Sequence, residues 1–105
     1  MDVKSLLELN PLLSDRVRLA IMTALSAADG PMDFTTLLQT LELSKGNLST
    51  HMRKLEEGGL VDVKKEFVGR KPRTTYRCSK SGQKELTIYL EKIENILKQA
   101  KGEAV

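Results

Sequence analysis

Apolar residues recur at helical spacing in five stretches of the chain and alternate with polar ones in a sixth, with turn-forming residues between. Residues 2–9 (DVKSLLEL) read as a short amphipathic helix ended by Asn10-Pro11, because the residue before proline disfavours the α region. Ser14 is placed as the N-cap of the next helix, with Asp15 in its first turn to complement the dipole. Val17, Ile21, Ala24 and Leu25, with Ala20 and Ala28, carry that helix over 15–28 until Asp29-Gly30-Pro31 stops it. Met32 offers one short strand, and Asp33 caps a helix over 34–41 whose inner face holds Phe34, Leu37, Leu38 and Leu41. Glu42-Leu43-Ser44 makes a tight turn, and Ser44 caps a helix from Lys45 to Glu57. Leu48, Met52 and Leu55 form its buried stripe, and Gly58-Gly59 ends it as a left-handed C-cap requires.

From Leu60 the period changes. Val61, Val63 and Phe67 alternate with Asp62, Lys64 and Glu66, which predicts a strand over 60–68. Lys65 breaks the alternation and predicts an edge strand that leaves the core near that point. Gly69-Arg70-Lys71-Pro72 is a turn, and residues 74–78 return as a second strand with Tyr76 and Cys78 facing inward. Ser79 caps a last helix over 80–100, along which Leu86, Leu90, Ile93, Leu97 and Ala100 repeat at spacings of four and three. The predicted class is α+β, mostly α.

Composition narrows the function classes. The 105 residues suit one domain, 1–105, rather than two. With no Trp, two Tyr and two Phe, aliphatic side chains must fill the core. No apolar stretch approaches the ~18 residues that span a membrane, and the acidic start MDVKSLLELNPLL does not resemble a secretion signal. One cysteine, Cys78, and one histidine, His51, exclude a disulfide framework, a Cys-rich metal site and a paired-histidine zinc site. No cofactor or metal site is expected, and these absences suit a reducing cytoplasm. The net charge is +3, but its distribution is more telling. Between Lys64 and Arg77 six cations (Lys64, Lys65, Arg70, Lys71, Arg73, Arg77) face one acid, Glu66, so this segment carries +5 and the rest of the chain −2. Such concentration is what an electrostatic docking surface for an anionic partner needs.

Two short helices joined by a three-residue turn form a helix-turn-helix. The second is followed at once by a basic hairpin, so one small domain presents two surfaces suited to DNA. At 100° per residue, Gly46, Thr50, Arg53 and Glu57 lie opposite the buried stripe, flanked by Asn47, Ser49 and Lys54. Asn47, Ser49 and Thr50 have the chemistry for base edges or phosphates, and Gly46 leaves room for close backbone approach. Lys45, Arg53 and Lys54 are candidate phosphate clamps, whereas Glu56 and Glu57 should point away. On the hairpin, Lys64, Arg70, Lys71, Arg73 and Arg77 complete the candidate DNA-binding set.

Residues 14–82 resemble the winged-helix domain of MarR/ArsR-like transcription regulators. The resemblance is carried by LSKGNLSTHMRKLEEGGLV at 43–61, similar to the family's recognition helix with its L-x-x-x-G-L-V exit. It is also carried by GRKPRTTYRCSKSG at 69–82, similar to the wing and the L-T-x-x-G start of the last helix, with Cys78-Ser79 in place of Leu-Thr. The resemblance implies a winged helix-turn-helix (14–78) with a two-stranded wing, flanked by dimerisation segments at 2–9 and 79–100. The expected seam is Val3, Leu6, Leu7, Leu86, Leu90, Ile93 and Leu97. The metal-sensing branch needs Cys or His clusters that this chain lacks.

Plainer readings compete for the same residues. A polar helix face is ordinarily just solvated, and lysines on an edge strand guard against aggregation; neither explains why Arg70, Lys71 and Arg73 crowd the tip. His51 reads as a boundary histidine, and Cys78 as a small packed hydrophobe rather than a redox thiol. Scattered carboxylates, no phosphate-cradling Gly loop and a lone His give no enzyme constellation. The expected function is therefore a homodimeric, sequence-specific regulator of transcription bound to double-stranded DNA at a palindromic operator. The rival is a winged helix that binds protein within a larger assembly.

Overall fold

A computed structural model describes residues 3–102. Residues 1, 2 and 103–105 of the expected domain, Asp2 of the first helix among them, lie outside the described residues. Val3–Glu8 forms a single 3₁₀ segment rather than an α-helix. Four α-helices follow, α1 (Arg16–Ala27), α2 (Phe34–Leu41), α3 (Lys45–Glu57) and α4 (Lys80–Ala100), with strands β1 (Met32–Asp33), β2 (Val61–Val68) and β3 (Lys71–Cys78). The strands make one antiparallel sheet in the order β1-β3-β2, with Met32 opposite Tyr76 and Val63 opposite Tyr76 on the other side.

Local chemistry sets the boundaries. Asp33, Ser44 and Ser79 cap α2, α3 and α4 by accepting from the N–H groups of Thr36, Asn47 and Gly82. At α1 the cap is Asp15, not Ser14: its carboxylate accepts from Val17 N (2.9 Å) and Arg18 N (3.0 Å). Ser14 instead donates its hydroxyl to the Asn10 carbonyl. Two adjacent residues compete for one cap, and the carboxylate gains more from the helix dipole than a hydroxyl does. Gly59 takes the left-handed φ of +75° that closes α3.

The core collects Ile21, Met22 and Leu25 of α1, Leu37 of α2, Leu48, Met52 and Leu55 of α3, and Leu86 of α4, closed by Leu13, Leu60 and Val61. Leu86 corrects the expected seam: it is 2% exposed inside its own protomer and cannot meet a partner. Phe67 agrees with the expected departure of β2 from the core near Lys65. It continues the alternation of Val61 and Val63, yet it is 74% exposed, because it lies beyond that point. Thr75 is buried, since β3 is the middle strand and Asp33 and Lys64 flank it on either side. The molecule is 57 Å long but only 25 by 22 Å across.

Candidate nucleic-acid interface

The junction between α2 and α3 is short because Glu42 adopts a left-handed conformation (φ 53°) and its N–H returns to the Leu38 carbonyl. Leu43 N–H bonds the same carbonyl at 3.3 Å, which turns the chain sharply into the Ser44 cap. Burial of Leu48, Met52 and Leu55 then fixes the rotation of α3. Lys45, Gly46, Asn47, Ser49, Thr50, Arg53 and Lys54 are all exposed. No side chain shadows Gly46: a Cβ built there meets nothing within 4 Å. Arg53 sits 4.0 Å from the Glu57 carboxylate, both mostly exposed; such a pair is worth ~0–1 kcal/mol and yields readily to a phosphate.

A polar contact ties α3 to α1. Arg18, only 13% exposed in its side chain, donates Nε–H to the Leu12 carbonyl at 2.7 Å and places Nη1 3.1 Å from His51 Nδ1. A guanidinium has no acceptor, so Nδ1 accepts and the ring proton resides on Nε2. In that tautomer the 3.8 Å approach of Asp15 to the same nitrogen is not a hydrogen bond. The Arg18 backbone N–H holds the Asp15 carboxyl below its ordinary value, against a smaller opposing effect of burial. His51 is thus half-buried at the helix boundary, as its position on the helix wheel predicts. Arg18 was not legible as its partner, since 33 residues separate them.

The hairpin carries two kinds of cation. Lys64 lies 3.6 Å from Glu66, Arg77 lies 3.8 Å from Asp62, and Arg73 lies 4.0 Å from Asp33. Lys65, Arg70 and Lys71 have no carboxylate partner among the described residues. The unneutralised charge therefore sits at the tip and along the distal edge. Gly69 supplies the turn's left-handed φ of +65°. Asp33 is held below the usual carboxylate range by the Thr36 hydroxyl and backbone N–H, with Arg73 adding to both. Burial pushes the Tyr76 phenol up, and Glu56 adds to it. Burial also raises the Cys78 thiol, whose Sγ lies 3.6 Å from the Met22 carbonyl, so the thiol stays protonated and packs.

Helix α4 is clamped to the exit of α3. Ser79 accepts from Gly82 N at 2.9 Å, donates its hydroxyl to the Gly59 carbonyl at 2.6 Å, and donates its N–H to the Leu60 carbonyl at 3.0 Å. A methyl at Gly82 would collide with that Leu60 carbonyl. The Ser-x-x-Gly pattern at 79–82 is therefore a cap combined with a close backbone approach. Beyond this clamp the 21-residue helix reaches roughly 31 Å. Asn10 Nδ2 bonds Glu85 at 3.2 Å, while Leu90 (43% exposed), Ile93 and Leu97 remain open, as do Val3, Leu6 and Leu7.

A tri-helical core with a tight helix-turn-helix and a projecting antiparallel hairpin defines a winged helix. Residues 17–97 match the winged helix DNA-binding domain family, and the chain belongs to that family. A transcriptional regulator homologue from Pyrococcus horikoshii OT3 superposes with a TM-score of 0.84 at 28% identity, covering 95% of this chain and 98% of that one. A PadR family transcriptional regulator from Eggerthella lenta superposes at 0.64 with 27% identity, over 83% of this chain and 81% of the other. An uncharacterized protein of Methanocaldococcus jannaschii is 32% identical over 66 residues, which is 63% of this chain and 72% of that relative. Among the described residues, no helix is long and apolar enough to cross a membrane, and no group of three His, Cys, Asp or Glu side chains can hold a metal ion.

Proposed function

We propose that the protein is a homodimeric, sequence-specific regulator of transcription that acts in the cytoplasm as one winged-helix unit. It binds double-stranded DNA with α3 in the major groove and the β2–β3 wing on phosphates or the minor groove. The observation that carries this reading is the pairing of an exposed, polar, rigidly capped α3 with a hairpin whose tip cations Arg70 and Lys71 lack acid partners among the described residues. On α3, Asn47, Ser49 and Thr50 reach base edges beside Gly46, while Lys45, Arg53 and Lys54 hold phosphates. Lys64, Arg70, Lys71, Arg73 and Arg77 serve the wing. Leu90, Ile93 and Leu97 of α4, with Val3, Leu6 and Leu7, form the seam between two copies, and the two-fold axis they impose calls for a palindromic operator.

Titration of the wild-type protein against duplexes recovered from a random pool, across salt concentrations, tests the reading. A linear log–log fall in affinity with salt supports a phosphate-dominated complex. Recovery of no enriched duplex, or affinity indifferent to salt, refutes it and turns attention to a protein partner.

A further inference from the structure

The wing tip carries an apolar edge that the fold does not use. Phe67 is 74% exposed and Val68 57% exposed, at the end of β2 beyond the point where that strand leaves the core. The chain has two phenylalanines, and the other, Phe34, packs against Tyr76 with ring centroids 6.5 Å apart. Register sets Phe67 opposite Pro72 and Val68 opposite Lys71, one step from the Gly69–Arg70 turn. Around that exposed ring the hairpin carries Lys65 on the same face, Arg70 in the turn and Lys71 on the other face opposite Val68, none of which has a carboxylate partner among the described residues. An apolar ring framed by unpaired cations is complementary to a polyanion with π faces inside, which is the chemistry of duplex DNA.

We propose that Phe67 is a wedge residue of the wing: its ring enters the minor groove and partly unstacks a base step while Arg70 and Lys71 hold the flanking phosphates. The proposal rests on the DNA-binding reading above and adds a specificity element to it. The minor groove is only about 6 Å wide, too narrow for a two-stranded ribbon, so side chains at the tip must make the contact. A wedge works best at steps that unstack easily, so the wing selects pyrimidine–purine steps such as TA or CA without reading their edges.

The chain contains no tryptophan, so Phe67→Trp places a single fluorophore at the wedge. The probe is the duplex recovered by the wild-type protein, labelled at its two ends for energy transfer to report bending. Phe67→Ala removes no charge and no buried contact, so its melting temperature and salt slope should match wild type. Its affinity should fall on the order of tenfold for each of the two wings of a dimer, through lost stacking, and the bend should relax. Emission from Phe67→Trp should be quenched at saturating duplex. Unchanged affinity and bend in Phe67→Ala, or Trp emission indifferent to bound duplex, overturns the wedge. So does a concentration-dependent shift of Trp emission in the absence of DNA, which assigns the ring to self-association. If Phe67→Ala is silent while Lys71→Ala still flattens the salt slope, the wedge falls and the DNA reading stands. If the wild-type protein retains no duplex at any salt concentration, both fall together.

Discussion

Lys71 sits beside the wing turn, exposed, with no carboxylate paired to it among the described residues. Its ammonium is a point charge with little bidentate base preference, so Lys71→Ala should remove a phosphate contact and little else. Each neutralised phosphate contributes about −0.9 to the slope of log affinity against log salt. A dimer has two wings, so the variant should be shallower by about 1.8. Between about 50 and about 200 mM salt, that difference compounds to roughly a twelvefold change in the ratio of wild-type to variant affinity. The loss is therefore large at low salt and small at high salt. Fluorescence anisotropy with the selected duplex and with random-sequence duplex, at four or more salt concentrations, reads both slopes. The phosphate role requires that both duplexes weaken alike. An unchanged slope, or a loss confined to the selected duplex, would refute it. Arg73 and Arg77 are poorer tests, because each is already shared with a carboxylate.

Other perturbations probe separate parts of the molecule. Asn47→Ala or Thr50→Ala should alter which duplexes are recovered from a random pool, at a cost of ~1–3 kcal/mol for a good base contact; identical recovered sequences would move base reading off α3. Leu90→Asp with Ile93→Asp should yield folded monomers in sedimentation, because both side chains are exposed in the protomer, whereas Leu86→Asp should unfold it. Gly82→Ala should lower stability by ~1–3 kcal/mol in chemical denaturation, since the Leu60 backbone must shift to admit the methyl. Asp33 is held below its ordinary 3.8 in the folded state, so its contribution is full above that value and is lost as pH falls through the folded pKa. Asp33→Asn retains the capping acceptor, so its stability should fall off less steeply below about pH 4 than wild type does in acid melts.

Elements whose boundaries are set by nearby residues were legible in the sequence. Asp33, Ser44 and Ser79 each stand immediately before an apolar helical repeat, and the span predicted from Lys80 to Ala100 is the one observed. The polar face of α3 was equally legible, because three buried residues fix the rotation of a 13-residue helix. What escaped depends on partners distant in the chain. Period alone assigned Leu86 to the same stripe as Leu90 and Ile93, but the Gly82 approach to Leu60 draws the first turns of α4 into the core and leaves the rest outside. The burial of Met22 lies outside the α1 repeat of Ile21 and Leu25, because β3 packs against a second face of that helix. The exposure of Phe67, by contrast, was legible, because Lys65 breaks the alternation two residues before it and marks where β2 leaves the core.

The Ser79 clamp has a geometric consequence for any two-fold assembly through α4. Because the start of α4 is fastened to the carbonyls of Gly59 and Leu60, directly after α3, the helix that would join the copies and the helix that would read DNA move as one piece. The assembly then behaves as a caliper with stiff jaws. Inserting a single base pair between the half-sites displaces one of them by about 3.4 Å and rotates it by about 35° around the duplex, and the clamped junction of α3 and α4 would resist either change. Operators for such a protein would therefore have a fixed centre-to-centre distance, and release from DNA would be achieved most directly by tilting the two copies about the seam.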